Sequence, residues 1–299
     1  MGFVGVSTSS SSINKVFPLW ADILDLPTRE LVGHDVPLDA DDGVYRRLVT
    51  DIAKDEEHLG ALVTTHKIRM YEAAADLFDR LDTFARACGE ISSISKENGH
   101  LVGHAKDPLT AGLALSDFLP PTHFADTGAD ALVLGAGGSG TALAWSLGTR
   151  PDQPGRVVVT DTSQARLDHL QEVLGRGDRS ANVATVLVGS SEETGRVLAR
   201  CPPGSLVANA TGLGKDRPGS PLPDGAAYPR DGYVWEFNYR GSLEFLEQAR
   251  SSVRANGLTV VGGWRYFIHG WSQVVAEVFH LDLTDADVAD LAAAAGRVR

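Results

Sequence analysis

Residues 129–148 read ADALVLGAGGSGTALAWSLG, and this stretch decides the fold of the second half of the chain. An apolar run is followed by a glycine-rich turn and then by residues with helical spacing. Gly135, Gly137 and Gly140 have the spacing G-x-G-x-x-G. That motif is informative only where it follows a strand and opens a helix, which is its context here. We therefore predict a Rossmann-type dinucleotide site rather than a purely structural glycine turn.

The glycine turn offers main-chain groups to a cofactor. Glycines allow a tight turn and a close approach of amides to a pyrophosphate, and the N-terminus of the following helix adds favourable charge. The predicted cofactor-binding residues of this turn are Gly135, Ala136, Gly137, Gly138, Ser139 and Gly140.

The next strand-like segment, RVVVTD, ends on Asp161. An acidic residue about 20 residues after the turn binds ribose hydroxyls in Rossmann domains. Its carboxylate accepts hydrogen bonds from the ribose of NAD and repels the additional phosphate of NADP. Thr162 follows rather than an arginine, although Arg166, one helical turn along, could restore part of the NADP binding. We predict that NAD is preferred over NADP.

Strand-like and helical segments alternate through the rest of the chain. Before the glycine turn, MGFVGV, GHDVPL and GALVTT have strand character, and VFPLWADILDL and DGVYRRLVTDIAKD have helical spacing. After it, ATVLVG, SLVANA, GYVWEFNY and LTVVGG are strand-like and alternate with helical segments. This order predicts the α/β class, with mostly parallel sheets covered by helices.

Four local predictions follow from the same pattern. Residues 71–89 are predicted to form one long amphipathic helix, and ISSIS and HLVGHA to form two short strands around the turn KENG. Residues 120–130 are predicted to form a loop. Thr284 with Asp285 is predicted to cap a final helix that runs to Arg299.

The composition narrows the class of protein. A net charge of −12 at pH 7 is the opposite of the basic footprint of a nucleic-acid binder. No apolar run approaches the roughly 20 residues that span a bilayer, and the N-terminal residues lack the pattern of a signal peptide. Cys88 and Cys201 have no partner motif, so we predict that both are reduced thiols. The histidines lack the spacing of metal ligands. We expect a cytoplasmic protein without nucleic-acid, membrane or metal partners, and we allow for a homodimer.

The placement of the glycine turn after a smaller α/β region resembles the shikimate/quinate dehydrogenase family. NATGLG (209–214) resembles that family's Asn-Ala-Thr-x-x-Gly loop beside the nicotinamide. VWEFNY resembles the strand that leads to a tyrosine near the substrate, here Tyr239, with Glu236 where the family usually has aspartate. The resemblance implies cofactor contacts for Asn209, Thr211 and Gly263, and a substrate contact for Tyr239.

Two segments of the first half carry the resemblance to the family's catalytic pair. GALVTTHK resembles Gly-x-Asn-Val-Thr-x-Pro-x-Lys, with one residue missing where proline stands, and puts Lys67 on the family's lysine. GHAKDPLTAG resembles Gly-x-Asn-Thr-Asp-x-x-Gly and matches Asp107 to the aspartate. The resemblance implies that Lys67 and Asp107 face each other across a cleft beside the nicotinamide. Without it, Lys67 reads as a solvated lysine and Asp107, before Pro108, as the start of a helix.

The departures from the family pattern concern substrate contacts. Leu62 replaces the asparagine before Val-Thr, and Ser92 replaces the asparagine of Gly-Ala-Val-Asn-Thr. Gly270 stands where the family has glutamine, and Gln273, nearly one helical turn later, is a candidate replacement. The implied substrate-binding residues are Ser10, Ser12, Thr64, Ser92, Tyr239 and Gln273. Among them, Ser10 and Ser12 in STSSSSI resemble the family's Ser-x-Ser pair, which holds the carboxylate of the substrate. These departures indicate an altered ring substrate.

For two further features, we weighed a structural role against a functional one. His66 is read as a residue that makes local hydrogen bonds. The aromatic segment GWRYFIHGW is read as core packing, although Trp264, Tyr266 and Trp271 could line an apolar wall of the substrate pocket.

The family layout also implies the domain organisation and the chemistry. Residues 1–108 would form an α/β substrate domain, 109–264 a Rossmann-type NAD(P) domain, and the C-terminal helices 265–299 would return to the first domain. Lys67 would be the acid/base and Asp107 its orienting partner in oxidising a secondary hydroxyl of a small cyclic molecule. The substrates considered are shikimate, quinate, aminoshikimate and C7 cyclitols. The alternatives are a dinucleotide-sensing regulator without catalysis and a methylene-tetrahydrofolate dehydrogenase-like enzyme.

Overall fold

The strands of the chain form two separate six-stranded sheets. A computed structural model describes residues 1–176, 182–215 and 217–298, so Arg299 of the predicted final helix lies outside the described residues. The chain divides into two units, Met1–Lys106 with Ile268–Arg299, and Asp107–Phe267. Each unit contains one of the sheets and its own helices.

The sheet of the first unit is mixed. Its strands are β1 (Gly2–Gly5), β2 (Val32–Asp35), β3 (Gly60–Val63), β4 (Arg80–Leu81), β5 (Ser93–Glu97) and β6 (His100–His104), in the order β2-β1-β3-β5-β6-β4. β1 pairs in parallel with β2 and β3, whereas β5 runs antiparallel to β3 and β6. Asn98 and Gly99, with φ of 51° and 82°, close the predicted β5–β6 hairpin, because positive φ at both central residues matches the twist of paired strands.

The prediction of one long helix over residues 71–89 is wrong. The helices of this part of the chain are α1 (Ile13–Ile23), α2 (Asp42–Lys54), α3 (Lys67–Ala74) and α4 (Thr83–Cys88). The chain becomes extended at Phe78, and β4 then pairs with β6. Asp82 caps α4 by accepting the N–H of Ala85 at 2.6 Å. Hydrogen bonding to a distant strand has thus overridden the helical pattern, because that pattern reports only local preference.

The sheet of the second unit is parallel throughout. Its strands are β7 (Ala131–Leu134), β8 (Val157–Asp161), β9 (Val183–Leu187), β10 (Leu206–Asn209), β11 (Tyr233–Glu236) and β12 (Thr259–Val261), in the order β12-β11-β10-β7-β8-β9. The order reverses at β7, which pairs with β8 on one side and β10 on the other. This is the doubly wound Rossmann order, and ligands bind such sheets beyond the carboxyl ends of the strands at the reversal.

The helices of the second unit cover this sheet. They are α5 (Asp107–Ser116), α6 (His123–Thr127), α7 (Gly138–Thr149), α8 (Gln164–Arg176), α9 (Ser191–Leu198) and α10 (Glu244–Asn256). The prediction of a loop over residues 120–130 missed α6. Asp152 stabilises that short helix by accepting the N–H groups of Phe124 and Ala125 at 2.9 and 2.7 Å. A cap that lies 27 residues away from Ala125 leaves no local signal.

Two C-terminal helices, α11 (Trp264–Phe279) and α12 (Asp285–Gly296), follow β12. From Ile268 onwards they belong to the first unit, and Trp20 of α1 donates its indole N–H to the carbonyl of Leu291 at 2.8 Å. Thr284 and Asp287 form a reciprocal capping box, which confirms the predicted start of the last helix. Among the described residues, no helix has the length and apolarity that crossing a bilayer requires.

Candidate active site

The glycine turn between β7 and α7 is a crowded main-chain junction. Gly135 has φ of 100°, and its N–H donates to the carbonyl of Thr160 at 2.7 Å. A Cβ on Gly135 would lie 3.0 Å from the carbonyl carbon of Ala210, and a Cβ on Gly140 would collide with the carbonyl oxygen of Gly135. Gly135 excludes a side chain because the main chain that follows β10 passes it, and Gly140 excludes one because the main chain of the turn itself lies against it.

Gly137, by contrast, leaves an open cradle at the start of α7. Apart from Gly137 itself and its two chain neighbours, no described atom lies within 4 Å of the point that its Cβ would occupy. As the N-cap residue, with φ −75° and ψ −174°, it has no side chain to bond the first N–H groups of the helix. Such groups attract an anion, and Ser139 is half-buried in the same turn. The cradle therefore fits the pyrophosphate of a dinucleotide.

Asp161, at the end of β8, holds the glycine turn in place. Its Oδ2 accepts the N–H of Ala136 and its Oδ1 accepts the N–H of Ser163, both at 2.8 Å. The Arg166 guanidinium lies 3.7 Å from Oδ1 and is 58% exposed, whereas the Asp161 side chain is 5% exposed. A carboxylate has about four acceptor positions, so capacity remains for a ribose hydroxyl.

The predicted nicotinamide loop, NATGLG, lies at the carboxyl end of β10, and a network of buried hydrogen bonds fixes it. Thr211 donates its N–H and hydroxyl to the Asn209 Oδ1, at 3.1 and 2.7 Å. Asn209 in turn donates its Nδ2–H to Glu236 Oε2 at 2.7 Å. The other oxygen of Glu236 accepts the N–H of Asn238 at 2.8 Å.

Glu236 is fully buried at the end of β11, directly opposite Asn209 in the parallel register. Burial raises the pKa of Glu236 to about 7, against the lowering effect of the hydrogen bonds from Asn238 and Asn209. Glu236 is thus a buried carboxyl group with a raised pKa that is bonded to the candidate cofactor loop. It was not among the predicted site residues. The available signal in the sequence was that two strand-like apolar runs each end on a polar residue, which is Asn209 in one run and Glu236 in the other.

Aromatic rings gather after β11. The Tyr239 ring lies 4.7 Å from Phe267 and 6.1 Å from Trp264, centroid to centroid. Gly263, predicted to contact the cofactor, is buried where its Cα passes the main chain of Phe237. Tyr239 and Trp264 are half-buried, so their packing role is clear and any contact with a ligand stays a prediction.

In the first unit, main-chain bonds bring three of the predicted site residues to one edge of the sheet. Thr64 follows β3 and donates its N–H and hydroxyl to the carbonyl of Val4 at 3.0 and 3.1 Å. Lys67 opens α3, and its carbonyl accepts the N–H of Ile91 at 3.0 Å. Ser92 then bonds through its carbonyl to the N–H of Val63 at 2.9 Å. The Lys67 side chain is half-buried at this edge.

The hydroxyl of Ser92 is engaged by the main chain. It accepts the N–H of Lys106 at 2.7 Å and lies 3.4 Å from the carbonyl of His104. Leu62, which replaces a family asparagine, is 5% exposed within β3. With Leu62 and Ser92 in place of two asparagines, this edge offers fewer side-chain hydrogen-bonding groups than the family pattern. The substrate contact of Ser92 stays a prediction.

His66, immediately before Lys67, is held on both sides of its ring. Its Nδ1 lies 2.9 Å from the hydroxyl of Tyr45, and its Nε2 lies 2.9 Å from the carbonyl of Val36. The carbonyl can only accept, so Nε2 carries the proton and Nδ1 accepts from Tyr45. Burial lowers the pKa of His66, although the bond to Val36 opposes this. The ring is therefore neutral near pH 7, and it anchors the start of α3, which confirms its local hydrogen-bonding role.

The serine loop after β1 contains the predicted anion-binding residues Ser10 and Ser12, both of which are exposed. The Ser10 hydroxyl donates to the carbonyl of Ser7 at 3.2 Å. Thr8 donates its N–H and hydroxyl to Asp35 Oδ1, at 2.8 and 2.6 Å, and these bonds lower the pKa of Asp35. A carboxylate at the base of the loop disfavours a second anion there, so the roles of Ser10 and Ser12 stay predictions.

A charged cluster lies on β5, β6 and α11 of the first unit. Glu97, His104 and Glu277 bring three possible metal-ligating atoms within 4.8 Å of one another. Arg80 forms an ion pair with Glu97, and Lys106 forms one with Glu277. Because each carboxylate already has a cation, the geometry describes a salt-bridge network. The expectation of no metal stays a prediction.

Two predicted residues remain to be placed. Gln273 is half-buried on α11, one turn before Glu277, which puts both on the same face of the helix. Asp107 is the first residue of α5, in the second unit, as its position before Pro108 predicted.

The fold and the glycine turn define the class: a protein of two α/β units, one of them a Rossmann-type domain. No family model matches the chain. The shikimate dehydrogenase (NADP(+)) of Symbiobacterium thermophilum is 31% identical over 214 residues, which cover 71% of this chain and 68% of that protein. The chain belongs to the shikimate dehydrogenase family.

Solved structures agree on the fold. Shikimate 5-dehydrogenase from Thermus thermophilus, in complex with NADP(H) and shikimate, matches with a TM-score of 0.74 and 24% identity, over 100% of this chain and 98% of that one. Quinate dehydrogenase from Corynebacterium glutamicum, in complex with NAD, matches with a TM-score of 0.73 and 19% identity, over 98% and 96%. At these identities the likeness concerns the fold alone, and it confirms the predicted α/β architecture.

Replacing Gly137 by alanine tests the cradle. The variant should keep the parent's stability to within about 1 kcal/mol, because the added methyl meets open space at an allowed φ, although alanine is a poorer N-cap than glycine. Its dissociation constant for NADH should rise at least about tenfold, because the methyl displaces a charged group from the helix N–H groups. Titration of NADH fluorescence measures this. Gly175→Ala, another open glycine but on α8, is the matched control and should bind NADH normally. Parent-like binding by Gly137→Ala would exclude the cradle as the cofactor site.

The buried Glu236 predicts how stability depends on pH. Its pKa is raised from 4.5 to about 7 in the folded protein, so the folded state binds more protons than the unfolded state between these values. The contribution of Glu236 to the free energy of unfolding should be full below pH 4.5 and fall as pH rises through 7, by at most about 1.4 kcal/mol per pH unit. Denaturant titrations of the parent and of Glu236→Gln should differ in this slope. Equal slopes would contradict the raised pKa.

Proposed function

We propose that the protein is an NAD(P)-dependent dehydrogenase that interconverts a secondary hydroxyl and a ketone on a shikimate-like cyclic polyol. Lys67 acts as the acid/base, Asp107 orients it, and NAD is the preferred cofactor. The observation that carries the proposal is the 31% identity to a shikimate dehydrogenase over 214 residues. The open cradle at Gly137 supports it independently, because the cradle suits a dinucleotide.

A bound nicotinamide supplies the hydride chemistry, so the residues of the chain have to manage the proton and the orientation of the substrate. The Lys67 amine takes the proton of the substrate hydroxyl during oxidation and returns it during reduction. A partly desolvated setting favours the neutral amine that this step needs. Support comes from the start of α3, where His66 is buried and neutral, and its two ring bonds hold the segment that carries Lys67.

The substrate is proposed to differ from shikimate in its ring substituents. Leu62 is buried and has no side-chain amide, and the Ser92 hydroxyl already accepts a main-chain N–H. The bond between Thr8 and Asp35 puts a negative charge at the base of the serine loop, which weakens the argument for a carboxylate on the substrate. Among shikimate, quinate, aminoshikimate and C7 cyclitols, we therefore favour the C7 cyclitols, which carry no carboxylate.

A spectrophotometric screen tests the reaction class. Purified protein with NAD or NADP would be offered shikimate, quinate, aminoshikimate and C7 cyclitols, and the appearance of reduced nicotinamide would be followed. We expect turnover of at least one of these ring alcohols. Tight binding of NAD without turnover of any of them would favour the dinucleotide-sensing regulator instead.

Substitution of Lys67 tests the acid/base role. Lys67→Ala should lower kcat by about 10²–10⁴-fold on whichever ring alcohol is turned over, because general acid–base help has this size. Lys67→Arg should lower kcat by a similar factor, because a guanidinium group stays protonated and cannot accept the proton of the substrate hydroxyl. The dissociation constant for NADH should not change in either variant. Lys54→Ala, at the exposed end of α2, is the control. Full turnover by Lys67→Ala would rule the role out.

The choice between NAD and NADP is tested at Thr162, an exposed residue beside Asp161. The parent should show a higher kcat/KM with NAD than with NADP. Thr162→Arg should raise kcat/KM for NADP by about tenfold or more, because a guanidinium next to Arg166 can form charge-assisted bonds to the additional phosphate. Thr162→Gln, long but uncharged, is the matched control. A parent that prefers NADP would contradict the proposed role of Asp161.

A further inference from the structure

Glu236 is the shared acceptor of two segments that frame the loop Ala210–Gly214. The residue has no exposed surface. One carboxylate oxygen accepts from the Asn209 side chain, and the other from the main-chain N–H of Asn238, whose side chain also hydrogen-bonds to the carboxylate. Both neighbours are donors, so the two oxygens are committed in different directions.

Asn209 transmits this anchoring to the first half of the loop. Its Nδ2 faces Glu236, which turns its Oδ1 towards Thr211, where it accepts two hydrogen bonds. The Thr211 hydroxyl then accepts the N–H of Leu213 at 3.1 Å. The orientation of one amide thus determines how the loop is bonded as far as Leu213.

Asn238 holds the other half. Its N–H is fixed by Glu236, and its Nδ2 donates to the carbonyl of Leu213 at 3.2 Å. The start of the loop borders the glycine turn, since a Cβ on Gly135 would come within 3.1 Å of the Thr211 Cα. Movement of the loop would therefore displace the glycine turn that forms the cofactor cradle.

We propose that Glu236 is a positioning residue whose carboxylate orients the Asn209 amide and thereby fixes the loop Ala210–Gly214 against the glycine turn. The loop's effect on cofactor binding rests on the proposed function, whereas the fixing of the loop does not. Glu236 touches neither substrate nor cofactor in this role and acts through Asn209.

The chemistry requires two acceptor oxygens at position 236. An amide there has only one oxygen, which the Asn238 N–H would take, and its NH₂ group would face the NH₂ group of Asn209. Asn209 would then reverse its amide and turn a donor towards the N–H of Thr211. A buried donor left without an acceptor is costly, so the loop would loosen.

The decisive test exchanges carboxylate and amide between the two positions. E236Q should loosen the loop by reversing the Asn209 amide. N209D should loosen it at a pH above the raised pKa of Glu236, where two ionised carboxylates lie side by side in a buried place. In the double variant E236Q/N209D, the amide at 236 donates to the carboxylate at 209, whose other oxygen accepts from Thr211, so every bond has a donor and an acceptor. The double variant should therefore restore the hydrogen bonding of the loop, although each single substitution disrupts it.

The primary readout is hydrogen–deuterium exchange of the peptide over residues 209–214 in the cofactor-free protein, measured at about pH 9 so that Glu236 is ionised. Each single variant should exchange about tenfold faster than the parent there, and the double variant should return towards the parent rate. E172Q, an exposed glutamate on α8, is the control and should not change the exchange. Parent-like exchange in E236Q, or a double variant no slower than E236Q, would overturn the proposal.

The second readout is the dissociation constant for NADH. It should rise about tenfold in E236Q and be restored in E236Q/N209D. If exchange behaves as expected but no variant, including the parent, binds NADH, the proposed function fails while the positioning role of Glu236 stands. Parent-like NADH binding in E236Q despite faster exchange would overturn the link between the loop and the cofactor cradle.

Discussion

The parallel pairing of β7 with β8 on one side and β10 on the other is the constraint on which the candidate cofactor site depends. Neighbouring parallel strands bring their carboxyl ends to one edge of the sheet. The glycine turn and the NATGLG loop therefore lie side by side. The close approach of Gly135 to the main chain of Ala210 follows directly, and it explains why no side chain fits there.

At the ends of β8 and β11 in this unit, buried carboxylates hold main chain in place. Asp161 accepts from the glycine turn, and Glu236 accepts from Asn238 and, through Asn209, organises the neighbouring loop. Both lie at the ends of strands, where N–H groups leave the sheet ladder and need new acceptors. Carboxylates suit this task because each offers two oxygens, and burial shields these bonds from competition with water.

In the first unit, side-chain and main-chain hydrogen bonds hold the start of the short helix α3, where Lys67 lies. The His66 ring is clamped between Tyr45 and Val36, and the main chain of Lys67 bonds to Ile91. These bonds hold the segment that carries the Lys67 side chain, and the adjacent His66 ring is neutral. This arrangement suits an acid/base residue, because a fixed origin reduces the freedom lost in aligning the amine with a hydroxyl.

The amino-acid sequence by itself determined the α/β class, the Rossmann-type turn, the β5–β6 hairpin and the capping of the last helix, because strand periodicity, glycine spacing and cap residues are local signals. Only the tertiary structure decided that residues 71–89 break into shorter elements and that Asp152 caps α6, since both depend on partners distant in the chain. It also decided that Glu236 faces Asn209. Strand order brings these residues together across 27 positions, and local periodicity carries no information about strand order.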